Sequence, residues 1–132
     1  MTLHPSQRDI AVALLIEKSQ RNMEQAVRNA GMDYWDLVAN RLYYALFHIV
    51  TELMISDGIK TTTHKGTSSQ FGFHYVLTGK FTREDGILYS RLQTMREKAD
   101  YQNTFTLTPE EGAAYIAAAK ELQSRIIATM QI

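Results

Sequence analysis

The chain has 132 residues, 45% of them hydrophobic and 21% charged, with a formal net charge of zero. That length suits one globular domain, and the composition excludes disordered, collagen-like and low-complexity chains. With no cysteine, disulfides, thiolate metal sites and thiol catalysis are excluded, and the neutral balance does not mark a globally basic nucleic-acid binder.

The first predicted helix covers about 6–29, with Ser6 and Asp9 as its capping pair and Gly31 at its end. Its apolar run, Ile10 to Ile16, is followed at once by Glu17 and Lys18. Such a run is shorter than the ~20 residues of a membrane span and lacks a signal peptide's charged leader. It is expected to form the core face of this helix, in a soluble, cytoplasmic protein.

A second helix is predicted over 34–57, started by Asp33 and Asp36 and closed by Gly58. At about 100° per residue, with Asn40 at zero, Tyr44, His48 and Arg41 fall near roughly 40°, 80° and 100°. Thr51 and Glu52 share that sector, and Leu37 is its one apolar intruder. The remaining ~200° is apolar, twice the usual stripe of a surface helix. This helix is therefore expected at the centre of a bundle, packed on several sides, with Tyr43 turned to the core and Tyr44 to the polar stripe.

The twelve residues from Gly58 to Ser69 read as an irregular connection, long for a bundle. From Lys60 to Phe81 there are three lysines, two histidines and no acid. A short extra helix is predicted over about 67–78, ending at Gly79. A further main helix covers 82–101, opened by Thr82 and Asp85, with Ile87, Leu88, Leu92, Met95 and Ala99 on one side. The last covers 108–130. Thr108, Pro109 and Glu111 give it the strongest start signal in the chain, and Tyr115, Ala119, Leu122 and Ile126 line one face. No segment alternates like a strand. The expected fold is all-α, an up-and-down bundle of four main helices plus a short extra one, forming a single domain over 1–132.

A merely solvated stripe carries Lys and Glu. This one carries Asn40, Arg41, Tyr44 and His48, residues that hydrogen-bond and position. Arg41 and His48 lie about 10 Å apart along the axis and within ~20° of each other, so both side chains can converge on one phosphate. Arg offers a permanent planar fork of donors, and His exchanges a proton near neutral pH. Such a pair can cleave RNA without a metal: a base takes the 2′-hydroxyl proton, that oxygen attacks phosphorus, and the cation stabilises the transition state. The structural alternative pairs Arg41 with Glu52 or with a neighbouring helix's acid and makes His48 a satisfied core histidine. His64 and Lys65 either bind phosphate or cap and solvate the next helix. Arg96 and Asp100 stand at i,i+4 spacing, which favours an intrahelical ion pair. His4, His48, His64 and His74 lack zinc-ligand spacing, Lys65-Gly66-Thr67 lacks the glycine pattern of a phosphate loop, and no Ser-His-Asp arrangement has local support.

The run Ala39-Asn40-Arg41-Leu42-Tyr43-Tyr44-Ala45-Leu46-Phe47-His48 resembles the signature helix of the HEPN family, in particular its small prokaryotic single-domain branch. His64-Lys65-Gly66 and Arg96-Glu97-Lys98-Ala99-Asp100-Tyr101 resemble that branch too, as does Leu77 to Gly86, so the likeness spans about 33–101. The resemblance implies a helical bundle that homodimerises through the faces bearing the Arg…His motif. Arg41 and His48 would be the catalytic pair of a metal-independent ribonuclease needing no cofactor, and Asn40 and Tyr44 would support them. His64, Lys65, Arg96 and Tyr101 would be RNA- or phosphate-binding candidates, with Asp100 a structural partner of Arg96. It also implies a toxin paired with a small nucleotidyltransferase antitoxin or, alternatively, a non-catalytic module that binds nucleotide or RNA. The best-known toxins of this kind have a tighter Arg-to-His spacing and a tyrosine shortly after the histidine. Here six residues intervene, and Val50 stands where that tyrosine would be.

Overall fold

A computed structural model describes residues 5–61, 63–101, 105 and 107–130, with side chains described from residue 10 onward. Five helices follow in order: α1 (Pro5–Gly31), α2 (Trp35–Ser56), α3 (His64–Phe71), α4 (Arg83–Tyr101) and α5 (Pro109–Met130). A single π-helical turn, Gly72–Val76, continues α3. Among the described residues there is no strand, and no helix is long and apolar enough to cross a membrane.

α2 is the centre of the bundle, in contact with α1, α3, α4 and α5. Its apolar sector, Val38, Ala39, Leu42, Tyr43, Ala45, Leu46, Ile49, Val50, Leu53 and Met54, is fully or nearly fully buried. α1 runs alongside it. A buried polar chain ties three helices: Gln123 Nε2 donates to Ser19 Oγ (2.8 Å), which donates to the Ala45 carbonyl (2.6 Å). Each of these buried groups thereby keeps a partner, as burial demands.

Two helix starts form as their residues dictate. Thr82 and Asp85 exchange reciprocal backbone–side-chain bonds (2.9 and 3.1 Å), and Thr108 and Glu111 do the same at 3.1 Å each. These are capping boxes, satisfying amides with no partner inside the helix. The face of α5 lies as expected, with Ala119, Leu122 and Ile126 buried and Tyr115 and Ile116 packed beside them.

Other expectations need correction. α1 begins at Pro5, so Ser6 lies inside its first turn, not at its cap. Asp33 does not cap α2. It adopts the left-handed conformation (φ 60°), and Tyr34 takes the N-cap position with no side-chain bond. Left-handed backbone is tolerated by Asp, so the tight turn needs no glycine at that point. Ile10 to Ile16 forms a core face only in part: Ile16 packs against the core, whereas Ile10 and Leu14 are 62% and 54% exposed, because full burial along α1 begins only at Ser19. On α4 the core residues are Tyr89 and Leu92, whereas Ile87 is 40% exposed.

The connection after α2 is also shorter than expected, since α3 starts at His64, not at 67. Thr63 is extended and its hydroxyl accepts from the Gly66 amide at 2.8 Å. A Cβ on Gly66 would sit 2.8 Å from that same hydroxyl oxygen. Gly66 therefore permits the tight cap that starts α3 at His64, which places both His64 and Lys65 on a helical turn and not in a loop.

Candidate functional site

The half-buried stripe of α2 meets residues from three other helices around the ring of Tyr44. Arg41 lies over that ring at 5.5 Å and Arg96, from α4, at 5.8 Å. Arg96 also covers Tyr43 at 5.1 Å and reaches the Tyr44 hydroxyl at 3.5 Å. The imidazoles of His48 and His64 stand 6.1 and 6.0 Å from the same ring. Aromatic faces attract cations, and this pair of tyrosines holds two guanidinium groups close together.

The partners of each charged group differ. Arg41 donates to Asn40 Oδ1, to Asn22 Oδ1 at 3.0 Å and to Gln25 Oε1 at 3.3 Å. These acceptors are neutral, so the guanidinium is aimed without being neutralised. The expected alternative, Arg41 with Glu52, is not formed. Glu52 is fully buried, accepts from Ser56 at 3.0 Å and leaves Oε2 without a partner, and burial holds its pKa above the ordinary carboxylate value. Arg96 pairs with Asp100 at 3.5 Å, at the i,i+4 spacing the sequence predicts.

Among the described residues, no hydrogen bond holds either ring nitrogen of His48. Its pKa is lowered by burial, then by the Lys18, Arg41 and His64 charges, so the ring is neutral at neutral pH and free to accept a proton. His64 is lowered too, by burial and then by Arg96, with Glu97 acting in the opposite sense. Its Nδ1 lies 2.6 Å from the Tyr43 hydroxyl, and its ring packs 4.4 Å from Phe47.

Of the sequence candidates, Asn40, Arg41, Tyr44, His48, His64 and Arg96 come together, with Asp100 at the rim. Lys65 is exposed. Tyr101, 87% exposed, takes no part in the cluster. Sequence reasoning missed Lys18, Asn22 and Gln25 of α1. Their i, i+4, i+7 spacing puts them on one face, but only packing reveals that this face meets Arg41 and His48. Tyr43 is buried as expected, yet its hydroxyl reaches His64. Among the described residues, no three His, Cys, Asp or Glu side chains are grouped to hold a metal ion.

A family model for the HEPN domain matches residues 12–127, which include every member of this cluster. The chain belongs to the HEPN family. Its similarity to a UPF0332 protein of Thermotoga maritima is 33% identity over 61% of each chain. The protein named "Putative toxin MJ0142" of Methanocaldococcus jannaschii is 26% identical over 74% of this chain and 66% of its own length. "Putative toxin MJ0605" of the same organism is 31% identical over 87% of this chain and 85% of its own. The chain thus spans less than two thirds of the first two relatives and most of the third. As a HEPN protein, it carries its polar stripe on α2, the central helix of the bundle.

Proposed function

We propose that this HEPN protein is a metal-independent endoribonuclease, the toxin of a two-gene pair, with Arg41 and His48 as its catalytic pair. The observation that carries this reading is the convergence of Arg41, Arg96, His48 and His64 on one tyrosine, with a single rim carboxylate, Asp100, paired within the cluster. Two guanidinium groups, Arg41 and Arg96, gathered over one tyrosine ring beside neutral imidazoles suit a polyanion. His48, kept neutral and unbonded, takes the 2′-hydroxyl proton. Arg41 and Arg96 stabilise the negative phosphorane, and Asn40 aims Arg41. Lys65 and Tyr101, both exposed, extend the surface along a longer RNA. The toxin assignment draws on the names of the Methanocaldococcus relatives, and the nucleotidyltransferase antitoxin on the family resemblance; the site of action is the cytoplasm.

The working unit is a homodimer that brings two α2 stripes face to face. Leu37, 45% exposed, and Leu14, 54% exposed, supply apolar surface on α2 and α1, two of the four helices that form the site. The deciding experiment incubates the purified protein with RNA in excess EDTA and assays 2′,3′-cyclic phosphate ends. Cleavage is expected from wild type and lost in His48→Ala; equal cleavage by both overturns the reading.

One observation favours a second reading, a non-catalytic module that binds nucleotide or RNA. The Arg41 guanidinium is already occupied by three neutral acceptors. Calorimetry with nucleotides, and co-purification with a nucleotidyltransferase, would then show binding by a protein that leaves RNA intact.

A further inference from the structure

His48 has no obvious counterpart as long as only the α2 motif is considered. Cleavage by a 2′-oxygen needs two proton transfers, one from the attacking hydroxyl and one to the departing 5′-oxygen. His64, on α3, stands within reach of the same chemistry. Its ring and that of His48 flank the same two aromatic rings: Tyr44 at 6.0 and 6.1 Å, and Phe47 at 4.4 and 5.7 Å.

The two imidazoles are equipped differently. Among the described residues His48 has no hydrogen-bond partner on either nitrogen, and its nearby charges, Lys18, Arg41 and His64, all oppose protonation. His64 has the Tyr43 oxygen 2.6 Å from Nδ1 and the Glu97 charge favouring its protonated form against Arg96. A phenol can donate to a bare ring nitrogen and accept from a protonated one, so Tyr43 holds the ring in both states. Burial pushes the Tyr43 hydroxyl up to about 12, so it keeps its proton throughout the working range. With Nδ1 anchored against the core, Nε2 is the nitrogen that no described residue holds by a hydrogen bond, in a half-buried side chain.

We propose that His64 is the general acid of this site, acting in the same protomer as the base His48, with Tyr43 as its positioning residue. The assignment rests on the ribonuclease reading above. His48 takes the 2′-hydroxyl proton as the O2′–P bond forms. The P–O5′ bond breaks, and protonated His64 delivers its Nε2 proton to O5′. The products are a 2′,3′-cyclic phosphate and a 5′-hydroxyl, and proton exchange with water restores both rings. The incoming phosphate, opposite in charge to Arg96, favours the protonated form of His64 when substrate is bound.

The test uses the full-length protein and two oligonucleotides carrying a single ribonucleotide at a step the wild type cleaves. One has the natural 5′-oxygen leaving group; the other has a bridging 5′-sulfur, which departs without a proton. His64→Ala is expected to lose about 10²–10⁴-fold on the oxygen substrate and to cleave the sulfur substrate nearly as wild type does. His64→Asn, which keeps a polar partner for Tyr43, should behave alike and decides the matter where the alanine variant does not fold. Tyr43→Phe should show the same selective loss, smaller in size. His48→Ala should lose activity on both substrates. Wild-type cleavage of the oxygen substrate by both His64 variants, or an equal loss on both substrates, overturns the assignment. A wild type inert on both substrates overturns the ribonuclease reading itself, and this assignment with it.

Discussion

Two clusters of charge sit in different parts of this bundle, and they are built on opposite principles. Where α4 meets α5, Asp85 is nearly buried, and Arg125 grips it through two bonds of 2.8 and 2.6 Å while Thr82 closes the capping box around it. Burial alone would raise the Asp85 pKa, but the Arg125 and Thr82 hydrogen bonds outweigh it and hold it below the ordinary value. Where α2 meets α1, α3 and α4, two arginines and two histidines share one tyrosine, and the near partners of Arg41 are amides. The first cluster is complete in its own charges. In the second, Arg96 has Asp100 while Arg41 is held by neutral acceptors, and that difference separates a structural clamp from a candidate site.

The comparison would break most visibly at His48. His48→Ala should reduce RNA cleavage by about 10²–10⁴-fold while the melting temperature stays within a few degrees of wild type. A large loss of stability would make His48 a core residue after all. Asp85→Ala should do the reverse, costing about 2–3 kcal/mol through the lost cap and the two lost Arg125 bonds with cleavage per folded molecule unchanged; chemical denaturation and a rate assay below the transition would read both. Arg41→Ala should cost less than about 1 kcal/mol, since its partners are neutral and partly exposed, yet abolish cleavage.

Acid sharpens the contrast further. His48 and His64 have pKa values lowered from 6.5, so the folded state favours their neutral forms. Their contribution is present above 6.5 and is lost as pH falls below it. For His48 the first cause is burial, followed by the charges of Lys18 on α1, Arg41 on α2 and His64 on α3. Asp85 gives way later, because its depressed pKa sustains its contribution until pH drops through the carboxylate range. A melting curve followed against pH should therefore fall in two steps, and inorganic phosphate should soften only the first. The base limb of kcat/KM, set by free His48, should lie below 6.5. The smallest expected effect is at Gly66. Gly66→Ala crowds the Thr63 hydroxyl by one methyl, and a loss of about 1 kcal/mol should come with a partial loss of cleavage through the displaced His64.

Local chemistry made much of this legible in advance. The capping boxes at Thr82 and Thr108 need only residues three apart, and the centrality of α2 follows from the breadth of its apolar sector. The stripe of Asn40, Arg41, Tyr44 and His48 is likewise a property of one helix. What stayed hidden depends on pairs of elements. Whether Ile10 to Ile16 is covered depends on how far the bundle extends under α1. Lys18 and Asn22 belong to the site because α1 packs along α2, and Tyr43 joins it because α3 begins at His64. The cap that sets that start, Thr63 with Gly66, was overlooked in a stretch that reads as loop.

The single tryptophan offers a means of observing these events separately. Trp35 packs its indole where a side chain on Gly112 would lie, since a Cβ there would come within 2.3 Å of the ring. Its emission consequently reports on the joint between α2 and α5. A titration with RNA that leaves this fluorescence unchanged while cleavage proceeds would describe a rigid scaffold with a surface event. A shift in wavelength would mean that occupancy of the cationic face is felt at that joint.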